Sequence, residues 1–148
     1  MSFNIAIDGP AGAGKSTIAK KIAKELGFVY VDTGAMYRAM ALYFLRSNIS
    51  NEDEQAISRA SENVEITIQY ENGEQQVFLN GENVNSKIRT EEVGQMASKS
   101  AAVPQVRSWL IDLQRDLAVT QDVIMDGRDI GTVVLPDADV KLFLTAAP

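Results

Sequence analysis

The stretch Gly9-Pro10-Ala11-Gly12-Ala13-Gly14-Lys15-Ser16 constrains this chain more than any other. It fits the phosphate-binding pattern G-x-x-x-x-G-K-[ST] at every fixed position, a pattern that requires a strand before it and a helix after it. Both flanks comply. Phe3-Asn4-Ile5-Ala6-Ile7-Asp8 reads as a buried strand entering the loop. Lys15 to Leu26 then carries Ile18, Ile22, Ala23 and Leu26 at a helical period, with Gly27 as the stop. Without a Cβ at Gly9, Gly12 and Gly14, the backbone can curl and turn several N–H groups onto an anion. Lys15 adds a point charge for the β/γ-phosphates, the Ser16 hydroxyl suits Mg²⁺, and the helix points its positive end at the same place.

Composition narrows the chemistry further. With 148 residues, 45% hydrophobic and 23% charged, the chain has the make-up of one ordinary globular domain. A net charge of −6 argues against a nucleic-acid polymer, which needs a broad basic face, but leaves room for a nucleotide in a local cationic cleft. The absence of Cys excludes disulfides and thiolate chemistry and fits a reducing compartment. The absence of His excludes an imidazole base and His-ligated zinc, so chemistry has to run on carboxylates, Lys, Arg and Mg²⁺. No apolar run approaches membrane-spanning length and no signal peptide precedes the first strand, so a cytoplasmic protein is expected.

Strand, helix, strand, helix follows from Phe28-Val29-Tyr30-Val31, a turn at Asp32-Thr33-Gly34, and a helix from Ala35 to about Arg46 with Met36, Met40 and Phe44 on one stripe. Such alternation implies an α/β fold: a three-layer parallel sheet with helices on both faces. Asn51-Glu52-Asp53-Glu54 resembles a capping box at the start of a third, short helix. The pattern then changes. Val64 to Tyr70 alternates with period two, Asn72-Gly73 signals a hairpin, Val77-Phe78-Leu79 returns, and Asn80-Gly81 leads to a brief strand around Glu82 to Val84. This reads as a small antiparallel insertion from Val64 to about Arg89. Thr90 should cap a helix through Ala102, and Pro104 should open another with Val106, Leu110, Leu113 and Leu117 as its stripe and Trp109 bordering it. Parallel strands resume at Asp122–Asp126 and Val140–Thr145. The expected division is a core of residues 1–62 and 120–148 and an insertion of residues 63–119.

Two further segments carry chemistry. Val123-Ile124-Met125-Asp126 is an apolar strand ending in a carboxylate, and in doubly wound sheets ligands gather at strand carboxyl ends, so Asp126 should lie near Ser16 and Mg²⁺. Asp32-Thr33-Gly34-Ala35-Met36-Tyr37-Arg38 stands at the end of the second strand, with Thr33 placed to cap the helix. Arg38 and Arg128, both arriving at the loop's end of the sheet, suggest a second phosphate site facing the first.

Taken with Ile88-Arg89 and Asp126-Gly127-Arg128-Asp129-Ile130-Gly131-Thr132, these blocks resemble the bacterial cytidylate (CMP) kinases, in the nucleoside monophosphate kinase group of P-loop proteins. The resemblance runs from the first strand to the last residue. It implies a P-loop NTPase-type sheet and transfer of the ATP γ-phosphoryl group to CMP or dCMP, giving CDP or dCDP and ADP. It implies ATP binding by Gly9, Pro10, Ala11, Gly12, Ala13, Gly14, Lys15, Ser16 and Thr17. Mg²⁺ would sit on Ser16 and, through water, Asp126. Thr33, Tyr37, Arg38 and Arg128 would line the acceptor phosphate, while Ser98, Arg107 and Asp129 would read the cytosine. Lys15, Arg38, Arg128 and Asp126 form the catalytic set, and a monomer is expected. In that family an arginine-rich lid, a fifth strand and a last helix follow the fourth core strand. A chain ending at Pro148 lacks them and is expected to turn over poorly. Two alternatives stay open: a P-loop kinase for another small acceptor, and a nucleotide-binding module without turnover.

Overall fold

The computed structural model describes residues 2–10, 14–72, 74–127 and 129–145. Expectations that fall on Ala11, Gly12, Ala13, Gly73, Arg128 and the last three residues lie outside these. The elements are β1 (Asn4–Asp8), α1 (Lys15–Leu26), β2 (Val29–Asp32), α2 (Thr33–Arg46), α3 (Glu54–Ala60), β3 (Ile66–Glu71), β4 (Glu74–Leu79), β5 (Glu82–Asn83), α4 (Glu91–Ser100), α5 (Pro104–Thr120), β6 (Val123–Gly127) and β7 (Val140–Phe143). Ser61–Asn63 forms a 3₁₀ turn and Ile130–Val134 a π turn. Contacts divide the chain into two compact units, one running to Thr33 and resuming at Asp112, the other Gly34–Ile111.

The first unit is built on a parallel four-stranded sheet in the order β2-β6-β1-β7. Ile5, Ile7, Tyr30 and Ile124 from its strands pack with Ala19 and Ala23 of α1. The apolar face of α1 is therefore Ala19 and Ala23. The expected stripe is corrected at Ile18 and Leu26, which are exposed, because two alanines let the helix lie close on the sheet while the longer side chains stay at the flanks. Gly27 ends α1 in the left-handed region and its amide closes on the Ala23 carbonyl. Register fixes what matters for function: Asp32 and Ile7 both pair with Asp126, and Asp8 pairs with Gly127. Three carboxylates thus stand at the same end of adjacent strands. At the other edge β7 is exposed along its length, Phe143 by 70%. Within α5 the carboxyl-terminal stripe also departs from expectation. Leu113 and Leu117 are half-buried, whereas Gln114 and Ala118 are 1% exposed.

The second unit contains the antiparallel sheet β3-β4-β5, in the predicted order, with turns at Asn72 and at Asn80-Gly81. Asn72, Asn80 and Gly81 have positive φ, the conformation that two-residue hairpin turns require. Met36, Met40 and Phe44 of α2 are fully buried, as their spacing predicts. Helix boundaries need three corrections. There is no turn ahead of α2, which starts at Thr33 directly from β2. The cap of α3 is Asp53, whose carboxylate accepts the Ala56 amide, and not Asn51. Thr90 caps α4 by accepting the Val93 amide, but the helix stops at Ser100, two residues before Ala102.

Candidate active site

The first unit gathers the phosphate-loop residues and the sheet's carboxylates. Gly9 leaves β1 at φ 145°, and a Cβ there would collide with the Leu144 carbonyl oxygen, so only glycine lets the loop depart at this point. Gly14 (φ 84°) then heads α1 without a side-chain cap, and the first turn carries no acidic residue. Ile18 donates the first intrahelical bond, to the Gly14 carbonyl at 3.1 Å. The amides of Lys15, Ser16 and Thr17 lie ahead of it and have no acceptor within the helix. A helix start of this kind, with its dipole unopposed, attracts an anion. The Lys15 ammonium donates to the Gly9 carbonyl at 2.6 Å and the Pro10 carbonyl at 3.2 Å. Ser16 and Thr17 are exposed at the same helix start.

Asp126 closes this group from β6. It is 6% exposed, and one oxygen accepts the Tyr30 hydroxyl at 2.8 Å. Burial pushes its carboxyl up to about 6, against the Tyr30 hydrogen bond, which lowers it. The neighbouring Asp32 raises it further, while the charges of Lys15 and Lys20 lower it. The charge of Lys15 thus reaches Asp126. Thr33 needs correction. It is the first residue of α2 and not its cap; its hydroxyl donates to the Asp126 carbonyl at 2.9 Å. That bond sits against Gly127, where a Cβ would fall 2.5 Å from the Thr33 Oγ1. Two positions past Gly127, Asp129 is exposed in the left-handed region (φ 58°).

The second unit carries the remaining candidates. The Arg38 guanidinium donates to the Ile88 carbonyl at 3.1 Å and lies against Gly94 of α4, where a Cβ would be 3.3 Å from both terminal nitrogens. Ser98 is one helical turn beyond Gly94 and exposed, so it occupies the same face of α4. Tyr37 is half-buried; burial raises its phenol and the Arg107 charge partly offsets this. Tyr37 and Arg107 are thus electrostatic neighbours, and Arg38, from α2, lies against the helix that carries Ser98. Arg107 itself is exposed on α5.

The uncapped head of α1, with Lys15 beside it, suits an anionic ligand, and comparison with known proteins decides the family. A family model described as cytidylate kinase matches residues 5–148. The chain belongs to the cytidylate kinase family. Among curated cytidylate kinases, that of Caldanaerobacter subterraneus subsp. tengcongensis is 54% identical over 147 residues, covering 99% of this chain and 64% of the relative. That of Desulfitobacterium hafniense is 55% identical over 146 residues, with 99% and 62% covered. That of Lactobacillus johnsonii is 51% identical over 145 residues, with 98% and 63% covered. The chain therefore spans less than two thirds of the length of these relatives. A parallel sheet flanked by helices, with a small antiparallel sheet beside it in sequence, agrees with a P-loop kinase fold. No helix among the described residues is long and apolar enough to cross a membrane.

Sequence reasoning missed three contributors. Asp8 accepts the Ile130 and Gly131 amides, 122 and 123 residues away, at 2.7 and 2.9 Å. The Tyr30 hydroxyl tunes Asp126, and Ile88 supplies the carbonyl that holds Arg38. A strand-ending Asp just before a phosphate loop is the only one of these with a visible sequence signal.

Proposed function

We propose that this chain is the larger part of an enzyme that phosphorylates CMP and dCMP to CDP and dCDP with ATP, releasing ADP, in pyrimidine nucleotide metabolism. The observation that carries the reading is Lys15 resting on the carbonyls of Gly9 and Pro10 at the head of an uncapped helix, with the buried Asp126 in its field. Membership of the cytidylate kinase family supports it. When ATP binds, Lys15 exchanges those carbonyls for phosphate oxygens, and the amides of Lys15, Ser16 and Thr17 donate to the same anion, continuing the stretch Gly9-Pro10-Ala11-Gly12-Ala13-Gly14.

The donor set suits Mg²⁺. Ser16 offers a hydroxyl and Asp126 a carboxylate, both hard oxygen ligands, and the metal characteristically takes one or two carboxylates with substrate phosphates and water. Burial penalises the charge on Asp126, and a nearby cation relieves that penalty. Mg²⁺ held by Ser16 and, through water, by Asp126 would neutralise charge on the β- and γ-phosphates.

Thr33, Tyr37, Arg38 and Arg128 bind the acceptor phosphate in this reading, and Ser98, Arg107 and Asp129 read its base. An oxygen of the CMP phosphate attacks the γ-phosphorus, the bond to the β–γ bridging oxygen breaks, and ADP leaves. The attacking oxygen is already anionic, so no histidine is needed; positioning and charge cancellation supply the rate. Cytosine presents an N4 amino donor to a carboxylate and O2 and N3 acceptors to Arg and Ser. Uracil sets a carbonyl against Asp129 instead, a mismatch of about 1–3 kcal/mol. Residues 1–62 and 120–148 form the core and 63–119 the acceptor-binding insertion. The protein acts as a monomer in the cytoplasm. A coupled ADP-release assay across CMP, dCMP, UMP and AMP tests the reading: CMP and dCMP should lead the panel, and preference for UMP or AMP would overturn the cytosine assignment.

A further inference from the structure

We propose that Asp8 and Arg115 are positioning residues for the acceptor base: they grip the π turn Ile130–Val134 by its two ends and so fix Asp129 directly ahead of it. This rests on the reading of Asp129 as a cytosine contact. An Asp that precedes a helical turn ordinarily caps it with its own carboxylate. Asp129 does not; its side chain makes no cap bond although it occupies the cap position. Asp8, at the end of β1, performs that task from across the sheet, one oxygen accepting the Ile130 amide at 2.7 Å and the other the Gly131 amide at 2.9 Å. The Asp129 carboxylate is thereby left available to a ligand. A Cβ at Gly131 would stand in ordinary contact with the Asp8 carboxylate, at 3.4 Å, and 3.3 Å from the Lys141 side chain, so Asp8 packs directly over the turn it holds.

The far end of the turn is held by a second charge. Arg115 of α5 donates from Nε to the Val134 carbonyl at 2.9 Å and from Nη2 to the Val133 carbonyl at 2.7 Å. Charge-assisted bonds of this kind are the strong ones in a hydrogen-bond inventory. On the upstream side, Gly127 is fitted against Thr33, which is bonded to the Asp126 carbonyl. Asp129 therefore stands, at a positive φ that its Cβ resists, between two anchored points. Asp8 also immediately precedes Gly9, so the same side chain ties the root of the phosphate loop to the segment carrying Asp129.

Asp8→Asn tests this with little change of shape. Asparagine keeps one acceptor oxygen but turns an amide donor toward a backbone N–H. Calorimetric titration should show CMP binding weakened about tenfold, with the affinity for ATP lowered clearly less. In an Asp129→Ala background the same substitution should cost CMP affinity nothing more, the non-additivity expected of residues acting as one unit. Arg115→Lys, which grips the turn from the other end, should weaken CMP binding in the same selective way if Asp8→Asn does not fold. Equal losses for ATP and CMP, or full additivity with Asp129→Ala, would overturn the proposal. If the unsubstituted chain binds no CMP, the functional reading fails by itself, and amide exchange then decides the clamp. Faster exchange at Ile130 and Gly131 in Asp8→Asn supports it, and unchanged exchange refutes it.

Discussion

Two carboxylates show how differently the two units treat charge. Asp126, in the parallel unit, is buried and pushed up to about 6. Glu82, in the antiparallel unit, is held down at about 2, its side chain bonded to Arg46 at 2.7 Å and to Lys87. The contrast extends to the elements around them. In the antiparallel unit α3 and α4 have side-chain caps at Asp53 and Thr90, and Asn72, Asn80 and Gly81 take the positive φ of tight turns. The loop end of the parallel unit breaks local rules one after another: an uncapped helix, a glycine pressed on a carbonyl, a positive-φ Asp, a π turn and a buried acid. Rules broken together at one end of a sheet mark the place where structure serves chemistry.

The largest effect expected from that contrast is on turnover. Lys15→Met should lower phosphoryl transfer by about 10²–10³-fold, the scale for removing one preorganised electrostatic group, while leaving the fold intact by circular dichroism. Turnover near the original level would break the comparison outright. Gly9→Ala comes next, since it drives a Cβ into the Leu144 carbonyl at a φ of 145°. Chemical denaturation should show a loss of about 1–3 kcal/mol or more, as overpacking does, and an unchanged midpoint would mean that the loop departs from β1 differently.

The sequence made the regular elements legible because their signals are local. Strand runs, the α2 stripe of Met36, Met40 and Phe44, the turn residues Asn72, Asn80 and Gly81 and the Thr90 cap each lie within a few residues of what they specify. Choices decided by tertiary contact were not legible. Ala19 and Ala23 displaced Ile18 and Leu26 as the packed face, and Thr33 gave its hydroxyl to a strand instead of to its own helix. In the candidate site, the position of Asp126 near the end of a parallel strand followed from pattern alone. The Asp8 clamp did not, because its partners lie more than a hundred residues away.

A finer test of the contrast is pH. Asp126 has a folded pKa above its unfolded value, so the native state binds more protons between the ordinary carboxylate range and about 6. Its contribution to stability should fall as pH rises through that window and stay low above it. Asp126→Asn should flatten this slope. Tyr30→Phe should move its upper end to higher pH, because the lost hydrogen bond is one that lowers the pKa. A slope of the opposite sign would mean that Asp126 is not desolvated. Glu82 works the other way: its stabilisation is present above the ordinary carboxylate range and is lost as pH falls toward about 2. Glu82→Gln should give the smallest shift in thermal midpoint of the series, one that added salt erases, as exposed pairs do.

The central claim is that a cytidine monophosphate is the group this chain is built to receive. Calorimetric titration of the chain with CMP and then with UMP tests it most directly. The account predicts saturable CMP binding at least about tenfold tighter than UMP, the preference expected from one mismatched charged hydrogen bond. Firm ATP binding with no heat for CMP, or UMP bound as tightly as CMP, would contradict it.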